Sequence, residues 1–144
     1  TLKISDLSVS DWVRYDGKEY QVKSIHGDFE RVTLIGNKEQ RDESIYAIQP
    51  IRITAEILEK NGFMRCSVEF SIYEYTTLLG KILRTTQVHL TTPQSVNVFL
   101  HDTTIERGYY HREKTSVHIL RDELNVHDIQ HALRLAGLDK EIYL

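Results

Sequence analysis

Two histidines four residues apart, His127 and His131, sit in the stretch NVHDIQHALRLAGL over residues 125–138. On a helix this spacing brings both imidazoles to one side. HDIQH is one methylene away from H-E-x-x-H, in which the histidines hold a zinc ion and the glutamate activates its water. Asp128 stands in the place of that glutamate. On a wheel of ~100° per residue, Val126, Ile129, Leu133 and Ala136 form the apolar stripe. His127 and His131 fall on the far side, beside Gln130 and Arg134. A solvated face shared with a cation disfavours a dication. Aspartate is shorter than glutamate, and Asn125-x-x-Asp128 resembles a capping box. HDIQH is therefore read as a docking helix with a histidine-bearing outer side, and His127 and His131 as weak metal candidates.

Other reactive side chains are scattered. His89, His101 and His118 lie on strand-like runs that could converge on one sheet face, with His101-Asp102 and His111 as further donors toward a 2-His-1-carboxylate site. None has a specific ligand spacing, and half-exposed strand histidines ordinarily bond to their neighbours. Cys66 sits on the apolar phase of a strand, which predicts a buried structural thiol rather than a nucleophile. No Gly-rich phosphate loop, nucleophile elbow or paired-carboxylate motif appears, so no cofactor is expected. Tyr73, Tyr75, Tyr109 and Tyr110 fall on predicted exposed phases or loops, and Arg107 and Arg112 flank the second pair. Exposed Tyr with Arg is interface composition. The same mixture stacks on single-stranded nucleic acid, and tyrosine is also a plain sheet former.

The elements that must position these residues are short. DWVRY (11–15), Asp16-Gly17-Lys18 and EYQVK (19–23) predict a hairpin. RVTLIG (31–36) and SIYAIQPI (44–51) predict two more strands, and Pro50 should end the pairing. Thr54 reads as the N-cap of a helix over 55–60, closed by Asn61-Gly62 with Phe63 folding back. Cys66, Val68, Phe70 and Ile72 alternate with Ser67, Glu69, Ser71 and Tyr73, predicting one period-2 strand. Strands follow at 81–90, 95–102 and 115–121, with an exposed turn over 103–114 and a helix over 126–136. The fold predicted is α+β. An SH3-like antiparallel barrel with a short helix (1–63) precedes a mostly antiparallel sheet closed by a C-terminal helix (64–144) and packed on the first lobe.

Composition narrows the function classes. With 144 residues the chain can bury a core. Lys and Arg total 18 against 21 Asp and Glu, a net charge of −3, so neither half has the footprint of a general nucleic-acid binder. Six of the seven histidines follow residue 63. A single cysteine excludes an internal disulfide and fits a reducing compartment. No apolar run approaches the ~20 residues that span a bilayer, and no signal-peptide pattern opens the chain, which predicts a cytoplasmic protein with no membrane role.

Two stretches carry a resemblance. KISDLSVSDWVRYDGKEYQVKSI followed by IQPIRITAEILEKNGF resembles a group of small uncharacterised gut-bacterial proteins encoded in prophages and mobile elements. Their helix reads PI-x-L-T-E-E-x-L-x-K-x-G-F. Pro50, Ile51, Thr54, Glu56, Leu58, Lys60, Gly62 and Phe63 match it, with Ile53 for Leu and Ala55 for Glu. NVHDIQHALRLAGL is similar to their terminal helix at Val126, His127 and Gln130. His131 falls where members have Asn and Asp128 where they have Gln, so the pattern preserves no metal pair. The resemblance covers the first 63 residues and the last 20, and implies a non-enzymatic accessory protein. The function expected is binding of another protein or of itself. The alternatives are a nucleic-acid-associated small-barrel module and a metal-dependent hydrolase using His127 and His131.

Overall fold

Local turn chemistry builds the first sheet. Strand β1 (Trp12–Tyr15) turns into β2 (Lys18–His26) through Asp16 and Gly17, at φ 50° and 73°. Both positive φ values match the right-handed twist of the flanking strands. After β3 (Arg31–Gly36), Asn37 and Lys38 repeat the device at φ 51° and 61° and lead into β4 (Glu39–Ser44). The strand expected at 44–51 is not formed. Its start is a short 3-10 turn, and only β5 (Gln49–Pro50) pairs, against β1. The true fourth strand is EQRDES, wholly polar. The structure, a computed structural model, describes residues 2–67, 69–102 and 113–144.

This sheet runs β4-β3-β2-β1-β5, all neighbours antiparallel. The predicted closed barrel is not seen: β4 and β5 remain separate edges. Two residues with a proline, which lacks an N–H, cannot extend the ladder to a ring. Val13, Tyr20, Val22, Val32 and Leu34 alternate onto one side and bury with Leu2, Leu7, Ile45 and Ile48.

Contacts divide the chain into two units, Thr1–Arg52 with Asn125–His127, and Ile53–Leu124 with Asp128–Leu144. The short helix α1 (Ala55–Lys60) groups with the second unit, not with the first as the division at residue 63 expects. Thr54 caps it, its hydroxyl accepting from the Ile57 N–H at 3.2 Å. Gly62, at φ 86°, ends it, and the Phe63 N–H donates back to the Leu58 carbonyl at 3.0 Å.

The second sheet contains β6 (Met64–Ser67), β7 (Ile72–Leu79), β8 (Ile82–His89), β9 (Gln94–Asp102) and β10 (Glu113–Arg121), in the order β10-β9-β8-β7-β6 and all antiparallel. The single strand predicted from Cys66 to Tyr73 is two strands. Ser71 takes φ 50°, and the Ser67 hydroxyl accepts from the Phe70 N–H at 3.1 Å, so the chain reverses without Gly or Pro. Tyr73, Thr86, Val88, Val96 and Val98 point to one face, each at most 4% exposed.

Helix α2 (Val126–Leu135) covers that face through Ile129, Ala132 and Leu133, all at 0% exposure. Arg84 Nη1 reaches from β8 to the Ala136 carbonyl at 2.7 Å, where the helix C-terminus favours a cation. The predicted closure of the sheet by this helix is not seen: α2 lies over one face, and β10 and β6 stay the ends. Gly137 at φ 73° stops the helix, with the Leu138 N–H returning to the Leu133 carbonyl at 2.9 Å.

Two buried amides then hold the chain after α2. Gln130 Nε2 donates to the Lys140 carbonyl at 3.0 Å and Gln130 Oε1 accepts from the Ile142 N–H at 2.8 Å. Asn61 Nδ2 donates to the Tyr143 carbonyl at 2.6 Å and Asn61 Oδ1 accepts from the Tyr143 N–H at 2.8 Å. Both side chains imitate a peptide group, so this segment finds strand-like partners without a strand.

Candidate functional site

The face of the second sheet opposite α2 carries a row of joined polar side chains. Antiparallel register sets Glu74 of β7 beside Gln87 of β8, Gln87 beside Asn97 of β9, and Asn97 beside His118 of β10. Period-2 alternation aims all four away from the buried Tyr73, Val88 and Val96. They are joined by side-chain hydrogen bonds. Gln87 Nε2 donates to Glu74 Oε1 at 2.6 Å, and Gln87 Oε1 meets His89 Nε2 at 3.1 Å. Asn97 Nδ2 donates to Ser95 Oγ at 3.3 Å, while Asn97 Oδ1 meets His118 Nδ1. An amide oxygen only accepts, so these contacts make His89 donate from Nε2 and His118 from Nδ1. The result is two short relays lying flat on the sheet.

Rows of apolar and hydroxyl side chains flank them. Ile72, His89, Ser95 and Leu120 form the row on one side. Thr76, Thr85, Phe99 and Thr115 form the row on the other, with the two threonine hydroxyls of β7 and β8 at 3.3 Å. Leu120 is 52% exposed and Leu78 57%. No Lys or Arg belongs to this face of β7 to β10 among the described residues. Arg84 points the other way, and Arg121 Nε lies 3.7 Å from Asp128.

The expected histidine set is placed accordingly. His89, His101 and His118 do share one sheet face. His101, however, pairs with Leu83 and lies six residues along β9 from Ser95, roughly 20 Å at strand rise. No group of three His, Cys, Asp or Glu among the described residues is placed to hold a metal ion. His111 lies outside the described residues.

The HDIQH helix differs from the wheel reading. His127 is only 4% exposed and His131 half-buried. Val126 to Gln130 are all buried, so the buried arc is far wider than the apolar stripe. Asp128, at 5% exposure, is buried as well. The solvated histidine pair is thus corrected: His127 is an interior side chain.

Cys66 is exposed rather than buried. It falls at the register shift between Arg65 and Ser67 on β6, and Met64 two residues before it pairs with Glu74 of the open face. Desolvation first, then the Glu74 carboxylate, push its thiol pKa up, which keeps it protonated at neutral pH and a poor nucleophile.

The interface tyrosines also move. Tyr73 is 4% exposed, on the covered face. Tyr75 shares that phase, with its ring 5.6 Å from Phe63 and Lys140 Nζ 4.3 Å above it. Desolvation there lowers the Lys140 pKa. Register against β8, not the run starting at Cys66, sets the face of β7: Tyr73 pairs with Val88 and Tyr75 with Thr86, both buried. Arg107, Tyr109, Tyr110 and Arg112 lie outside the described residues.

Sequence reasoning missed Glu74, Gln87, Ser95 and Asn97. One signal was present, since Gln87-Val88-His89 and Ser95-Val96-Asn97-Val98 alternate polar with apolar on the phase that His89 shares. No protein family, no curated protein and no solved structure matches this chain.

Proposed function

We propose that the chain is a non-enzymatic interaction module that binds another protein through the open face of its second sheet. The observation that carries this reading is the make-up of that face. It presents oriented amides and imidazoles beside exposed aliphatics and no Lys or Arg, so desolvating it strips few full charges. A phosphate backbone needs cations, and this face offers none among the described residues. The resemblance in the N-terminal 63 residues supports an accessory protein of a prophage or mobile element. The free cysteine and the absence, among the described residues, of a helix long and apolar enough to cross a membrane are compatible with a reducing cytoplasm.

The test is site-specific photo-crosslinking in the expressing cell, with the crosslinker at Leu120 on this face or at Thr33 on the first sheet. Protein adducts from position 120 and few from position 33 support the reading. RNA or DNA adducts from position 120, or none, overturn it.

A further inference from the structure

We propose that the occupant of this face is a second copy of the chain, stacked face to face about a two-fold axis that runs along the strands between β8 and β9. The inference rests on the protein-binding reading above and names the partner. Such an axis exchanges β7 with β10 and β8 with β9 while keeping position along the strands. The central row then meets itself reversed. Glu74 faces His118 of the second copy at both ends, and Gln87 faces Asn97 in the middle. In the next row Ile72 faces Leu120 and His89 faces Ser95. Acid meets imidazole, amide meets amide, and aliphatic meets aliphatic.

The alternative in-plane axis, across the strands, keeps each strand over itself. It brings Glu74 over Glu74, a like-charge juxtaposition that specific interfaces avoid, and sets His118 over His118 with no carboxylate opposite. Keeping the two carboxylates apart and setting each against an imidazole therefore selects the first axis.

Sheet faces of this kind pack ~10 Å apart with strands about 30° from alignment, which fits flat-lying amide relays. Four strands spaced ~4.8 Å and three rows spaced ~6.8 Å cover on the order of 400 Å² per copy. The total, about 800 Å², is below that of stable interfaces and in the range of transient ones, so the dimer is weak and exchanging.

Sedimentation equilibrium of the full chain tests this. The wild type should pass from monomer to dimer as concentration rises from ~1 μM to ~1 mM. Glu74→Lys alone and His118→Glu alone should each lower the association constant at least tenfold. An equimolar mixture of the two should restore it, because Lys at 74 then meets Glu at 118 while the other end keeps its native pair. Leu120→Glu, at a position already exposed, gives the same loss without touching the relays and serves if a charge variant folds poorly. A wild type that stays monomeric throughout overturns the second-copy proposal, while adducts of position 120 with a different protein would leave the protein-binding reading standing. Weakened single variants whose mixture is not restored overturn the axis.

Discussion

Both sheets are five-stranded antiparallel ladders with one buried face, yet their other faces carry different chemistry. The first sheet sets Arg31 Nε 3.2 Å from Asp42 and Arg14 Nη2 3.6 Å from Glu19, all substantially exposed. Its edge β4 is EQRDES, a run of charge and polarity that blunts pairing with another chain. The second sheet places amides, imidazoles and aliphatics in the same kind of position, with Glu74 the one carboxylate of the central row and no Lys or Arg on that face among the described residues. Full charges hold their water strongly, whereas neutral hydrogen-bonding groups exchange water for partner groups at modest cost. The contrast separates a surface kept wet from one suited to being covered.

Several substitutions can break or sharpen that contrast. The largest effect is expected on the covered side of the second sheet. Ile129→Asp places a carboxylate at a fully buried position and should cost more than about 4 kcal/mol. Urea unfolding should show no cooperative transition at 25 °C, and a near-native midpoint would mean that α2 does not carry this core. Gln130→Ala removes both hydrogen bonds to Lys140 and Ile142 and should cost about 2–3 kcal/mol. Hydrogen exchange should then rise selectively at Ile142.

His127→Ala should cost about 2 kcal/mol because the side chain is buried, while His131→Ala should cost much less. Equal losses from the two would restore the wheel reading of a solvated pair.

On the first sheet, the Tyr20 hydroxyl donates to Glu39 Oε1. That bond lowers the Glu39 pKa and raises that of Tyr20. A lowered carboxylate stabilises the fold above its ordinary pKa, and this contribution is lost as pH falls through the lowered value. A raised phenol contributes below ~10 and loses it as pH rises through the raised value. Tyr20→Phe should therefore lower the melting temperature at pH 7 and leave it little changed near pH 2. A uniform loss at both pH values would assign Tyr20 to packing alone.

The smallest effect is expected for Arg31→Ala, within about 0.5 kcal/mol, because an exposed ion pair contributes little. A loss above about 1.5 kcal/mol would erase the distinction between the two faces.

Legibility followed the strength of local signals. Asp16-Gly17, Thr54 and Asn61-Gly62 each encode their turn or cap in the residue types, and the structure uses them so. β4 was invisible because an edge strand of charged residues has no apolar alternation to detect. The reversal at 69–71 was invisible because a serine, not a glycine, takes the positive φ while the alternation runs on unbroken. The wheel gave the docking stripe of α2 but not the width of its burial, which depends on what surrounds the helix. The strand-like runs placed His89, His101 and His118 on strands, but their common face comes from the register of β8, β9 and β10. The relays needed register across four strands, which no single segment encodes.

The clamp made by Gln130 and Asn61 has a consequence for how this chain tolerates change. Each amide reads peptide groups and is blind to the side chains attached to them. Asp139 and Glu141, both exposed, can vary widely without altering what is read, whereas Ile142, at 1% exposure, cannot. The specificity of the chain's last packed segment is thus written in two amides elsewhere in the sequence, and the segment itself is left nearly free to drift.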